Sequence, residues 1–220
     1  MQFTAVDAFS GAGGLCLGLQ QAGFDILYSF DFDKICVETH RLNSKYFSHR
    51  VDNADIKAID PKRLLDELGL VQGELDLLAG GPPCQGFSMQ RTVGGDEDDR
   101  NLLVHHYGDL IKEILPKFFL MENVAGLGGK RGRVILEEFV LRMERLGYRV
   151  EHQILDAQEY GVPQRRKRMI VVGEFAVGKT IGAFKWPEKE EVKNANIFGM
   201  HLGDYMFWDG ERQTEFIKKE

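Results

Sequence analysis

Cysteine is scarce in this chain, with Cys16, Cys36 and Cys84 the three among 220 residues. So few thiols, odd in number, cannot build a disulfide framework. Nothing points to secretion, so reduced thiols in a cytoplasmic compartment are the expectation. Long apolar runs are missing too. No stretch approaches the ~20 residues that a bilayer-spanning helix needs, and Met1 runs straight into the strand-like FTAVDAF instead of a signal peptide. Positive charge is not in surplus: 28 Lys and Arg stand against 34 Asp and Glu, a net −6. That balance argues against a general nucleic-acid binder, although Arg165, Arg166, Lys167 and Arg168 form a local basic knot. There is no internal repeat and no low-complexity segment. What remains is 43% hydrophobic and 28% charged, the composition of a chain able to bury a real core.

Strand-length apolar runs alternate with stretches of helical spacing. FTAVDAF (3–9), ILYSF (26–30), LDLLAG (75–80) and KFFLMEN (117–123) read as short buried strands. DKICVETHRLN (33–43), LVHHYGDLIKEIL (103–115) and VILEEFVLRMERLG (134–147) read as helices, the last closed by glycine. Such alternation predicts an α/β fold, a Rossmann-like, doubly wound and mostly parallel sheet with helices on both faces. YRVEHQIL and RMIVVGEF are separated by only a short loop, which predicts an antiparallel pair at the sheet edge. Periodicity fades from about Phe184, so residues 1–183 are expected to form a catalytic and cofactor-binding domain and 184–220 a tail.

Two loops carry chemistry. DAFSGAGGLCLG follows the first strand and opens a helix, where glycines let a ligand approach a helix N-terminus. A dinucleotide fingerprint needs a third glycine where Cys16 stands, which disfavours a pyrophosphate and leaves room for a carboxylate-bearing cofactor. Asp31 ends the second strand, the usual place for an acid that accepts from ribose hydroxyls. Asp55, near the end of a third strand, suits an adenine amino group. The pattern reads as nucleoside plus amino acid. In GGPPCQGFS (80–88), two prolines fix the backbone and remove two donors, so Cys84 sits at a rigid bend that is neither helix nor central strand.

These residues resemble the cytosine-5 DNA methyltransferase family, which takes its methyl group from S-adenosylmethionine and leaves S-adenosylhomocysteine. DAFSGAGG, FDFDK, NADI, GGPPCQGFS, RNLL, MENV and YGVPQRRKR occur in the family's order over roughly Phe3 to Glu174. The resemblance implies that Cys84 is the nucleophile that adds to carbon 6 of cytosine, making carbon 5 nucleophilic. Cys16 and Cys36 read as inert packing. Glu122 would stabilise N3 of the base while accepting from its exocyclic amine, a task that calls for a raised pKa. Asn123 would brace the loop. Arg168 would reach the base and Arg166 the phosphate backbone or the active-site loop, while Arg165 and Lys167 read as solvated surface.

The same likeness places the cofactor. Phe9 and Phe32 would sandwich the adenine, Asp31 hold the ribose, and Asp55 with Ile56 the adenine edge. Gly11, Ala12 and Gly13 would lie near the methionine moiety, Pro83 would contribute to the cofactor wall, and Asn101 and Leu102 would close the methionine end. Asp31 stands where some relatives carry glutamate. Residues 85–100 read as a loop that closes over a flipped base, since a base inside a duplex cannot meet both thiolate and methyl donor. His105 and His106 lack metal-ligand companions, and no metal is expected.

Family members normally continue into a target-recognition region, and the sequence stops at FIKKE about where that begins. One subunit of a split enzyme, a truncation and a minimal variant all fit. The expected activity is cytosine-5 methylation of DNA within a restriction-modification system, in the cytoplasm or at a prokaryotic nucleoid. A second polypeptide would carry target recognition, and Phe198, Met200, Tyr205, Met206, Phe207 and Trp208 offer a docking surface or fold back onto the sheet. Two other readings stay open. One is a non-catalytic S-adenosylmethionine-binding or DNA-associated subunit, and the other an RNA cytosine-5 methyltransferase.

Overall fold

The computed structural model describes residues 2–83, 102–130, 132–176 and 184–189. Among them, seven strands make one sheet: β1 (Phe3–Ala8), β2 (Phe24–Asp31), β3 (Arg50–Asn53), β4 (Leu77–Gly80), β5 (Phe118–Val124), β6 (Tyr148–Asp156) and β7 (Lys167–Phe175). Their order is β3-β2-β1-β4-β5-β7-β6. The pairs β1–β2, β2–β3, β1–β4 and β4–β5 are all parallel. The chain starts in the middle of the sheet, builds outward through β2 and β3, then returns to build β4 and β5 on the other side. That reversal leaves a crevice beyond the carboxyl ends of β1 and its neighbours, the usual ligand position in such sheets.

The helices are α1 (Gly14–Gln21), α2 (Lys34–Leu42), α3 (Pro61–Leu68), α4 (Leu102–Ile114) and α5 (Arg133–Arg145). Strand alternation sorts the core into two layers. Val6, Ala8, Tyr28, Phe30 and Leu78 point to one face, where Leu64, Tyr107, Ile111, Phe139 and Met143 of α3, α4 and α5 cover them. Ala5, Ile26, Leu77 and Ala79 point to the other and pack with Cys16 and Leu19 of α1. The expected doubly wound sheet is therefore present.

The last two strands lie together at one end of the sheet, as the short connection implied. Only the 3₁₀ turn Ala157–Tyr160 lies between them, too little chain for a parallel crossover, and the sheet is mixed. β7 inserts beside β5 and leaves β6 at the edge. One helix escapes the sequence pattern, α3. Asp60 caps it by accepting from the N–H groups of Lys62 and Arg63 at 3.0 and 3.2 Å, Pro61 opens it, and Gly69 ends it at φ 67°.

The chain divides into two compact units, Met1–Ile154 with Met169–Phe184, and Leu155–Arg168 with Lys185–Glu220. No helix among the described residues is long and apolar enough to cross a membrane.

Candidate functional site

β1 hands the chain to a tight turn. Phe9 adopts φ 60°, a conformation that costs a bulky residue about 1–3 kcal/mol. Gly11 at φ 53° and Gly13 at φ 96° complete the turn, and Gly13 caps α1. A Cβ on Gly13 would stand 2.5 Å from the ring of Phe47 and 3.1 Å from His40 Nε2, so glycine is required there for space as well as for φ.

The turn is fastened to the end of β2. The Gly11 N–H donates to Asp31 Oδ2 at 2.8 Å, and the Asp33 N–H donates to Asp31 Oδ1 at 2.8 Å. One carboxylate thereby holds two loops that leave adjacent parallel strands. Asn53, at the end of β3, donates its amide to the carbonyls of Asp31 (3.1 Å) and Phe32 (2.7 Å). β3 stops at Asn53, so Asp55 lies two residues past the strand end, near it as expected; its Oδ1 accepts from Lys57 N–H at 3.0 Å and caps the 3₁₀ turn Ile56–Ala58.

These loops wall a cleft of about 500 Å³, lined among others by Phe9, Asp31, Phe32, Asp55, Ile56, Gly81 and Pro83. Phe32 is 75% exposed, and the ring of Phe9 packs at 6.4 Å from those of both Phe30 and Tyr107. An exposed aromatic face, a fixed carboxylate and an apolar floor on Ile56 suit a nucleoside. Six of the residues expected to bind the cofactor share this wall, and Gly11, Ala12 and Gly13 form the turn next to it. Leu102 opens α4, while Asn101 lies outside the described residues.

The Gly-Pro-Pro stretch leaves β4 beside β5. The Gly81 N–H donates to the Ala8 carbonyl at 3.3 Å, and the Tyr107 hydroxyl stands 2.9 Å from the carbonyls of both Leu78 and Leu120, between which its one proton is shared. Glu122, half-buried near the end of β5, reaches over Gly81: its Oε2 is 3.6 Å from where a Cβ would sit. Asn123 is buried and braces the bend as expected, donating to the Pro82 carbonyl at 2.9 Å. Cys84 itself, the 85–100 loop with its acidic run, and the 198–208 apolar cluster lie outside the described residues.

The basic knot belongs to the second unit. The Arg166 N–H donates to Asp156 Oδ1 at 3.0 Å and its carbonyl accepts from Ala157 N–H at 3.1 Å, which folds the 156–166 loop onto itself. Arg165, Arg166 and Lys167 are exposed. Arg168 is half-buried and donates to the Lys167 carbonyl at 2.9 Å. His106 stands 3.7 Å from Asp109 on α4. Cys16 is fully buried, but Cys36 is only partly so and is no core residue. Sequence reasoning missed Asn53 and Asp33 as braces of the cleft; both sit in or beside the motifs FDFDK and NADI, and Asn before a turn is the signal that marked them.

A doubly wound sheet with a glycine turn, an acid at the end of β2 and a nucleoside-sized cleft at the strand reversal defines a methyltransferase-type α/β domain. The crystal structure of a prophage-encoded DNA modification methyltransferase from E. coli superposes with TM-score 0.67 at 30% identity, covering 79% of this chain and 47% of that one. Spodoptera frugiperda DNMT2 shares the fold at TM-score 0.63 and 18% identity, over 86% of this chain and 54% of its own. The chain belongs to the C-5 cytosine-specific DNA methylase family, whose model matches residues 3–216. Type II methyltransferase M.AgeI of Thalassovita gelatinovora is 40% identical over 93% of this chain and 46% of its own length. M1.HphI of Haemophilus parahaemolyticus is 37% identical over 93% and 53%. The chain thus spans about half the length of these relatives. M.AquIA of Picosynechococcus differs in extent, being 34% identical over 93% of this chain and 86% of its own.

Proposed function

We propose that this chain methylates carbon 5 of a cytosine extruded from DNA, as the catalytic part of a restriction-modification methyltransferase. The observation that carries the reading is a convergence at the carboxyl ends of β1, β4 and β5. Pro83, next to Cys84 in sequence, lines the same cleft as Asp31 and Phe32, and Glu122 leans over Gly81 two residues earlier.

S-adenosylmethionine fits that cleft and, when bound, supplies an electrophilic methyl group to carbon 5. Asp31 would accept from its ribose, Phe9 and Phe32 would cover its adenine, and Asp55 and Ile56 would meet the adenine edge. Pro83, Gly11, Ala12, Gly13, Asn101 and Leu102 would face its remaining parts. The Cys84 thiolate forms a bond to carbon 6 of cytosine, and the displaced electron pair moves through the ring toward N3. The Glu122 carboxyl holds a proton at N3 and accepts from the exocyclic amine, which offsets that charge. Arg168 steadies the base and Arg166 the phosphate or the loop. Once carbon 5 is methylated, its proton leaves to solvent, the carbon–sulfur bond breaks, and the thiolate is regenerated.

Sequence choice needs groove contacts, and phosphate contacts supply most affinity for DNA. A net charge of −6 offers few of the latter, so a further polypeptide segment or partner subunit would supply both. The test is methyl transfer from tritiated cofactor to cytosine-containing duplex DNA, by the 220-residue chain with and without the product of the adjacent reading frame. Stimulation by that product is expected. Efficient sequence-specific methylation by the chain alone removes the partner, and transfer to RNA in preference to DNA removes the substrate assignment.

A further inference from the structure

Behind the glycine turn, a second group of chemistry-bearing side chains converges that the cleft does not use. Cys16 on α1, His40 on α2 and His49 just before β3 each offer a ligand atom, all within 4.8 Å of one another. Cys16 and His40 are fully buried and His49 half-buried. Cys16 Sγ lies 3.8 Å from His49 Nε2. A thiolate and an imidazole nitrogen that share a tetrahedral zinc ion stand about 3.5 Å apart, from the usual bond lengths to the metal.

Asp7, buried on β1, accepts from the Cys16 thiol at 3.0 Å. Its Oδ1, together with Nδ1 of His40 and Nδ1 of His49, has no hydrogen-bond partner. Buried polar atoms are nearly always satisfied, so such atoms on these three side chains call for partners. His40 donates from Nε2 to the Gly11 carbonyl at 3.1 Å, so its Nδ1 is a bare lone pair, as in histidines that ligate metals. Asp7 Oδ1 is likewise an acceptor.

We propose that Cys16, His40 and His49, with Asp7 alongside, form a buried site for a divalent cation of the zinc class. It ties α1, α2 and the segment before β3 together beneath the Gly11–Gly13 turn. One sulfur and two imidazoles select zinc-like over magnesium- or calcium-like ions. On binding, a sulfur–metal bond forms and the thiol proton leaves to solvent, so uptake releases a proton. The His40 bond to Gly11 couples the ion to the turn.

The test uses the full 220-residue chain, stripped with chelator and titrated with Co(II), then with Zn(II) in competition. Stoichiometric uptake is expected, with a thiolate-to-cobalt charge-transfer band, displacement by Zn(II) and a raised melting temperature. Cys16→Ser and His49→Gln should each lose the band and the uptake. The second change falls at a half-buried position and keeps the test open if the first fails to fold. The double variant Cys36→Ser, Cys84→Ser should keep both. Uptake well below stoichiometric, a band that survives Cys16→Ser, or one that vanishes in the double variant overturns the site.

Discussion

Replacing Asp31 with alanine separates the two tasks assigned to that carboxylate. In the protein alone it accepts from the N–H groups of Gly11 and Asp33, both at 2.8 Å. Hydrogen bonds to a charged group contribute about 1.5–3 kcal/mol each when shielded from water. The Gly11 bond is part-buried and the Asp33 bond exposed, so the second counts for less, and the expected loss of stability is about 2–3 kcal/mol. Losing the ribose acceptor and loosening the turn should further weaken S-adenosylmethionine by about 1–3 kcal/mol, roughly a five- to 150-fold rise in Kd. Urea denaturation reads the first quantity and isothermal titration calorimetry the second. Asp60→Ala is the control, because it uncaps α3 at a cost of about 1 kcal/mol and should leave cofactor affinity alone. An Asp31→Ala chain that is destabilised yet binds the cofactor with unchanged Kd makes Asp31 a structural clasp only, and NADH binding at the cleft would refute the cofactor assignment itself.

Three further outcomes are expected. Cys84→Ser should abolish methyl transfer and leave S-adenosylmethionine binding nearly unchanged, and turnover at the unsubstituted rate in a tritium assay would remove Cys84 from the chemistry. Asn123→Ala strips the donor from the Pro82 carbonyl at a buried position, so stability should fall by about 1–3 kcal/mol in urea and activity should fall with it; an unchanged denaturation midpoint would show that water replaces the amide. Gly80→Ala puts a methyl 2.8 Å from the Tyr107 ring and 3.0 Å from the Ala8 carbonyl, and a loss of about 1–3 kcal/mol in thermal or urea unfolding is expected from the overpacking, whereas a neutral result would mean that α4 yields at no cost.

Much of this architecture is legible in the residues because local signals and tertiary demands agree. β1 and β2 alternate between the two core layers, and Asp31 falls at the strand end where parallel pairing sets it beside the glycine turn. Other parts are set by tertiary contact. α3 escapes the apolar periodicity because its buried contacts come down chiefly to Leu64 and Leu65 among charged residues, although Asp60, Pro61 and Gly69 punctuate it clearly. The place of β7 between β5 and β6 depends on which edge is left open after β5 forms, and no local pattern in RMIVVGEF encodes that. Cys16 reads as packing and is buried in the core, whereas its proximity to His40 and His49, which arrive from far along the chain, is set only once α2 and β3 are in place.

NADI shows why a motif can be recognised while its mechanics stay hidden. Asp55 and Ile56 are the members that a nucleoside would touch, but Asn53 carries the geometry. Its amide faces two main-chain carbonyls, those of Asp31 and Phe32, and only a group with two donors on one nitrogen satisfies both. An aspartate of the same shape would bring a third acceptor against them. With the carbonyls held from the β3 side and the carboxylate held by Gly11 and Asp33, Asp31 is fixed at both its backbone and its side chain before any ligand arrives. A pre-set acceptor spends less binding energy on ordering itself. The residues that make the cleft rigid are therefore the neighbours of those that would touch the cofactor, and they lie in the same short motifs because strand ends bring them there.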